Sequence, residues 1–223
     1  MTIQEAIVKR HSVRQYLDKP IETDIIDELQ AMTHQLNKES GLHIQLVTND
    51  PKAFDSTMAH YGKFTNVCNY FAMIGKDDDT LDERLGYYGE QLVLQAQMLG
   101  LNTCWVGLSY KKNPDVITVE KGEKLRCVIS LGYGANQGYS HKIKTMEKVT
   151  KVEGVMPDWF RKGVESALLA PTAINQQKFL FSLKNERQVQ AKAGWGFFSK
   201  VDLGIVKYHF EVGAGKENFD WIR

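Results

Sequence analysis

The sequence is short of several things, and each shortage excludes a class of protein. It has three cysteines, Cys68, Cys104 and Cys127, widely spaced and odd in number. There is no CxxC pair, so neither a zinc site nor a disulfide framework is supported. The six histidines form no HxxxH or related pattern, and no metal site is expected. Charge is almost balanced, with 28 Lys and Arg against 27 Asp and Glu, which leaves no electrostatic footprint for DNA, RNA or an anionic membrane. No apolar run approaches the roughly 20 residues a membrane helix requires. The opening MTIQEAIVKRHSVR is amphipathic and lacks the apolar core of a signal peptide, so a cytoplasmic protein is expected. Prolines number only 5, and 43% of the 223 residues are hydrophobic. That is enough to bury one substantial core or two small ones.

What is present is an alternation of helical and strand-like runs. Ile3, Ala6 and Ile7 recur at helical spacing before Arg10, with Thr2 as N-cap. After Pro20 a second helix starts, capped by Thr23 or Asp24, with Ile25, Ile26, Leu29 and Met32 as its apolar stripe. LHIQLVT alternates as a strand does, and NYFAMIGK reads as another; DPKAFDSTMAHYGKF between them reads as helix. DERLGYYGEQLVLQAQMLG is the longest helical pattern and stops at Gly100 in a C-cap position. NTCWVGL then reads as a turn, LRCVISLGYG as a strand, and ANQGYSHKIKTMEKVTKVEGVMP as an extended linker. Beyond it the order returns: helix DWFRKGVESALLA, strand KFLFSLK, and a long helix within DLGIVKYHFEVGAGKENFDW. Gly89 and Gly100 lie eleven apart, as do Gly204 and Gly215. We read an α+β chain, a single domain over 1–223 with half-repeats 1–145 and 155–223; a chance likeness of two αβα segments is the alternative.

Four stretches offer ligand chemistry. In KRHSVRQY, Arg10, Ser12 and Arg14 alternate, so an extended backbone projects them to one side, where two guanidiniums and a hydroxyl suit a phosphate. The blander reading is a basic turn that complements a helix dipole. HKIK supplies His141, Lys142 and Lys144 as a second half of such a grip, or simply as surface residues. In TCWVGLSYKK, Gly107 lets the backbone approach a flat ligand closely; otherwise it is a turn glycine beside a core Trp105. In APTAINQQK, Asn175 and Gln177 present amides that match the edge of a heterocycle or a sugar chain, unless Asn175 merely forms an Asx-turn. The glycine-flanked aromatic run AGWGFFSK suits a lid, or a loop packed into the core.

Together these stretches resemble the nitroreductase family of flavin mononucleotide (FMN) enzymes. RHSVRQY matches its Arg-[Arg/His]-Ser-x-[Arg/Lys]-x-[Phe/Tyr] segment, PTAINQQ its Pro-Ser-x-x-Asn-x-Gln segment with Thr for Ser, GLNTCWVG its Gly-Leu-x-x-Cys-Trp-x-Gly segment, and LGYGANQGYSHKIK its strand end followed by a basic pair. The order departs from the family: the Pro-Ser-x-x-Asn segment usually follows the arginine motif within a few dozen residues, and here that slot reads MTHQLNKESGLH. Ordinary members are intertwined homodimers with FMN at the interface. The displaced motif therefore implies two fused copies, with one complete site per chain, as in a smaller subgroup of nitroreductases. The resemblance implies a three-layer fold, a central mixed or antiparallel sheet flanked by helices, and an internal pseudo-dimer.

By the same resemblance Arg10, with Lys142 or Lys144, holds the FMN phosphate, and Ser12 assists beside His11. Arg14 lies at the N1–C2=O edge, and the N–H groups of Gly107 and Leu108 face N5 and O4. Pro171, Thr172, Ala173, Asn175 and Gln177 close the other side. No side chain is assigned as a catalytic acid or base. Tyr110, Trp195, Phe197 or Phe198 roof the exposed flavin face. The implied activity is ping-pong reduction of nitro compounds, quinones or similar electron-poor molecules by NAD(P)H, in a monomer or alternatively a homodimer. Two other readings stand beside it: a flavin-binding protein without turnover that acts by interaction, and another flavin reaction such as dehalogenation or dehydrogenation.

Overall fold

The computed structural model describes residues 1–55 and 57–222, without the side chain of His60. They form two compact units. One comprises Met1–Val8, Asp82–Glu90 and the chain from His141 onward; the other comprises Lys9–Leu81 and Gln91–Ser140. The α+β class read from the sequence stands, with the strands distributed over two four-stranded sheets.

The second of these units is built on an antiparallel sheet. Its strands are β1 (Gln45–Val47), β2 (Asn69–Lys76), β3 (Asn102–Val106) and β4 (Glu123–Gly132), ordered β1-β2-β4-β3. NTCWVGL, expected as a turn, is instead strand β3, in register with β4 from Asn102↔Gly132 to Val106↔Val128. Its polar first residues hide the pattern, yet all but Trp105 are buried. Helix α2 (Thr23–Ser40) begins one residue earlier than the caps expected for it. Thr23 and Asp24 are already helical, and Glu22 stands at the N-cap without a side-chain bond. The helix expected over 50–64 is, among the described residues, a 3-10 turn, Pro51–Phe54, and a short α3 (Thr57–Tyr61). Phe54, Phe64, Tyr70 and Val13 are part of one buried cluster.

The other unit starts with α1 (Ile3–Lys9). The Thr2 hydroxyl accepts from the Glu5 N–H at 3.2 Å while the Glu5 carboxylate accepts from the Thr2 N–H at 2.9 Å, a reciprocal capping box. Its sheet, β5-β6-β7-β8, comprises β5 (Thr150–Val152), β6 (Phe179–Leu183), β7 (Gln188–Ala193) and β8 (Asp220–Ile222). β5 lies inside the stretch expected as a linker, and β7 and β8 were not anticipated. Two of the three are only three residues long, and it is pairing, parallel to β6 and to β7 respectively, that makes them strands. Helix α6 (Ser199–Ala214) lies against this sheet, and α5 (Asp158–Leu168) packs on α6. Their packing is aromatic: Phe181 stacks on Phe210 at 4.6 Å between centroids, and Phe160 meets Phe210 edge-on at 5.4 Å.

Helix α4 (Leu81–Met98) contributes residues 82–90 to this unit, where it crosses α6 at two glycines. A Cβ on Gly204 would stand 2.0 Å from the carbonyl oxygen of Glu83, and one on Gly86 would stand 2.0 Å from that of Val201. Each glycine thus meets the carbonyl three residues before the other. The backbones touch with no side chain between them.

Candidate functional site

Two groups of expected site residues are each gathered locally. The first is the extended segment after α1. Ser12 bridges Thr103 of β3, and the Val13 N–H donates to the Thr103 carbonyl at 3.0 Å. Tyr16, buried, donates its hydroxyl hydrogen to the Val13 carbonyl at 2.8 Å and lies 2.7 Å from the Ser130 hydroxyl. This ties the segment to β4. The turn after β4 folds back onto it: Gly134 N–H donates to Asn102 Oδ1 at 3.0 Å, and Ala135 N–H to the Gln15 carbonyl at 2.8 Å. Gly138 has φ +67°, and a Cβ added there would lie only 2.7 Å from the Cβ of half-buried His11. A side chain at that position would displace the arginine segment.

The Cys104 thiol reports what this segment does. Burial pushes it up, while Arg14, a hydrogen bond from Ser12, and Arg10 pull it back. Two guanidiniums and a hydroxyl thus act on the same thiol. Arg10 is 4% exposed and Arg14 is exposed. Arg14 also lies over the Phe64 ring, 6.0 Å from its centroid. This donor set, positive and held by β3 on one side and Thr65 on the other, fits an anionic group such as a phosphate. Gly107 and Leu108 directly follow β3; Leu108 is 63% exposed. Tyr110 packs on the hydrophobic cluster.

The second group is the loop from Pro171 to Gln177 together with the HKIK segment. Gln177 is buried, and its amide is used inside the protein. Its oxygen accepts from the Lys144 N–H at 2.8 Å; its nitrogen donates to the Lys142 carbonyl at 2.7 Å and to Asn175 Oδ1 at 2.8 Å. Its own N–H donates to the Thr172 hydroxyl at 3.1 Å. The Lys144 ammonium donates to the Gln177 carbonyl at 2.8 Å, and Asn175 Nδ2 to the Lys142 carbonyl at 2.9 Å. Gln177 and Lys144 thus shape the loop, and Lys142 carries the exposed ammonium of the pair. Ile174, Asn175 and Gln177 all adopt positive φ, at 47°, 55° and 45°. For a β-branched residue that conformation is a genuine outlier, and such strain persists only where neighbours over-determine it.

One of those neighbours was not legible beforehand. Asp202, in the first turn of α6, accepts from the Ala173 N–H at 2.9 Å and from Gln176 Nε2 at 2.7 Å. Gln176 also donates to the Phe197 carbonyl at 2.8 Å, joining the loop to the AGWGFFSK run. The aromatics of that run are not packed into the core: Trp195 is 96% exposed, and the Lys178 ammonium lies 5.9 Å from its ring centroid. An acidic residue shortly after a glycine-aromatic run is the only sequence signal Asp202 gives.

Burial pushes the Asp202 carboxyl up to about 6 from its ordinary 3.8, against the opposing pull of the bonds from Gln176 and Ala173. The folded value lies above the unfolded one. The contribution is therefore fully present below pH about 4 and is lost as pH rises through about 6, a change on the order of 2–3 kcal/mol. The Asp202 side-chain carboxyl carbon is expected to titrate by NMR with a midpoint near 6, and Asp202→Asn to flatten that part of the stability profile. A midpoint at the ordinary carboxylate value would refute this.

Comparison with known proteins places the geometry in a family. The family model described as "Putative TM nitroreductase" matches residues 2–214. The chain belongs to this family. None of the curated proteins matches the sequence. Among solved structures, this nitroreductase-family chain is similar to a "putative nitroreductase" from Thermotoga maritima MSB8, at 23% identity and TM-score 0.68, covering 100% of this chain and 89% of that one. It is also similar to a "putative nitroreductase" from Desulfovibrio desulfuricans solved in complex with FMN, at 16% identity and TM-score 0.52, over 70% of this chain and 99% of that one. A "putative NADH dehydrogenase/NAD(P)H nitroreductase" from Bacteroides thetaiotaomicron matches at 21% identity and TM-score 0.52, over 66% and 95%. At these identities the structural likeness is one of fold.

Proposed function

We propose that the chain is an FMN-dependent oxidoreductase that uses NADH or NADPH to reduce nitro compounds, quinones or similar electron-poor small molecules, with ping-pong kinetics. The observation that carries this is that Arg10, Ser12 and Arg14 lie on one extended segment held against β3 through Ser12 and Val13, in a chain of the nitroreductase family. Arg10 and Ser12 would hold the phosphate and ribityl chain, beside His11. Arg14 would place fixed positive charge at the N1–C2=O edge, where reduction puts negative charge. The N–H groups of Gly107 and Leu108 would face N5 and O4. Pro171, Thr172, Ala173 and Asn175 are assigned to the same flavin on the strength of their motif, and Lys142 remains the assisting cation. When bound, FMN supplies the hydride chemistry. No side chain is assigned as acid or base, because the product can take its proton from solvent.

This reading expects one FMN per chain, half-repeats 1–145 and 155–223 that together make one site, and a monomer. The protein should purify yellow, with flavin and chain in equal amounts and a native mass of one chain. Arg14→Ala, at an exposed position, is expected to weaken FMN binding roughly 10- to 100-fold, the cost of one charge-assisted bond. Arg10→Lys tests the buried position while keeping its charge, and should lose less. A colourless protein that rejects added FMN would sink the proposal.

A further inference from the structure

We infer that the cleft between the Pro51–Phe54 turn and the segment after β3 binds a phosphate monoester, and that its ligand is the 2′-phosphate of NADPH; the second part rests on the function proposed above. The cleft is a cavity of about 340 Å³ lined by Lys52, Lys111 and Lys112 with Asp55 and Asp115. Three lysines and two aspartates thus line it. Among the described residues, none of the three ammoniums is held in a hydrogen bond or ion pair.

The frame around the cleft is fixed by groups that do not neutralise it. Buried Asp50 spends one carboxylate oxygen on Asn113 Nδ2 at 3.0 Å and the other on the Tyr70 hydroxyl at 2.7 Å. The Lys111 N–H donates to the Ala53 carbonyl at 2.7 Å, closing one wall on the other. The lysines are thus carried on an ordered backbone, and their charge stays available to a ligand.

Position selects the ligand. Lys111 follows Gly107 by four residues, a span of at most about 14 Å. The intervening loop passes Gly62: a Cβ there would lie 3.1 Å from Ser109 Cβ and 3.0 Å from the Phe64 ring, the ring over which Arg14 sits. The same loop therefore begins at the backbone proposed to face the flavin and ends at the lysines. A nicotinamide dinucleotide has that form: a ring that must reach the flavin, and an adenosine ribose some distance away. NADPH differs from NADH only by a phosphate on that ribose. A cluster of compact, adaptable ammoniums suits a phosphate monoester, and with three lysines to two aspartates in the lining a dianionic phosphate is favoured over the ligand that lacks it.

The test is calorimetric titration of the full-length protein with adenosine 2′,5′-bisphosphate and with adenosine 5′-monophosphate. The bisphosphate is expected to bind roughly 10- to 100-fold more tightly, and the variant Lys52→Ala/Lys111→Ala/Lys112→Ala to abolish that preference. Equal affinities in the unaltered protein, or a preference that survives in the triple variant, would overturn the inference. Reduction of the bound flavin by NADH separates this outcome from failure of the proposed function. A protein that NADH reduces but that shows no 2′-phosphate preference loses only the inference. A preference in a protein whose flavin neither dinucleotide reduces keeps the phosphate site and overturns the oxidoreductase.

Discussion

Gly204→Ala is expected to destabilise the protein by about 3 kcal/mol or more, although alanine is the better helix former by about 1 kcal/mol. The two effects have opposite signs, so the measurement decides between them. A Cβ at Gly204 would stand 2.0 Å from the Glu83 carbonyl oxygen and 2.6 Å from the Tyr87 nitrogen. These are backbone atoms, and no rotamer change moves them. Relief requires the two helices to separate, which pulls apart the contacts that flank the crossing. Those include Tyr87 against Tyr208 at 5.4 Å, the Tyr87 hydroxyl on Glu211 at 2.6 Å, and Lys207 on Glu83 at 2.7 Å. Gly86→Ala meets the Val201 carbonyl at the same 2.0 Å and should cost about as much. Because one separation relieves both clashes, the double variant should cost less than the sum of the singles. Urea unfolding of the three variants checks all of this. A Gly204→Ala protein as stable as the parent would show that the helices do not touch there.

Local patterns that carry their own physics were legible in the sequence. NYFAMIGK has buried residues along almost its whole length and is β2 from Asn69 to Lys76. Thr2 and Glu5 have the spacing of a capping box, and they form one. The arginine motif signalled a family, and residues 2–214 match a model of that family. What could not be read depends on partners far away in the chain. β8 is a strand because β7 lies beside it, and nothing in Asp-Trp-Ile requires that. Nothing in the sequence marks Gly86 as the glycine that meets α6 at Gly204, since a crossing point is set by two helices at once. Asp202 and Lys52 look like ordinary surface residues in a linear reading. Folding brings the first beneath a strained loop and the second beside Lys111 and Lys112.

His209→Ala should cost about 3–5 kcal/mol, the usual cost of removing one partner of a buried ion pair. His209 and Glu90 both have side chains at 0% exposure, with Nε2 2.8 Å from the carboxylate. His209 Nδ1 lies 3.1 Å from the Ser166 carbonyl, which can only accept, so Nδ1 carries a hydrogen. Nε2 is turned to the Glu90 carboxylate. Removing the imidazole takes one hydrogen bond from Glu90 and one from the Ser166 carbonyl and leaves a cavity. Glu90→Gln should cost distinctly less, because a glutamine amide can still donate to Nε2 of a neutral ring. The ordering is the diagnostic, and equal losses in the two variants would mean that packing alone is being measured. The effect should also travel. Ser166 belongs to α5, whose Leu168 carbonyl accepts from His141 Nε2 at 3.0 Å, and His141 opens the segment that holds Gln177. Hydrogen exchange at Lys144, whose N–H donates to Gln177, should therefore accelerate in His209→Ala beyond what the global loss of stability accounts for.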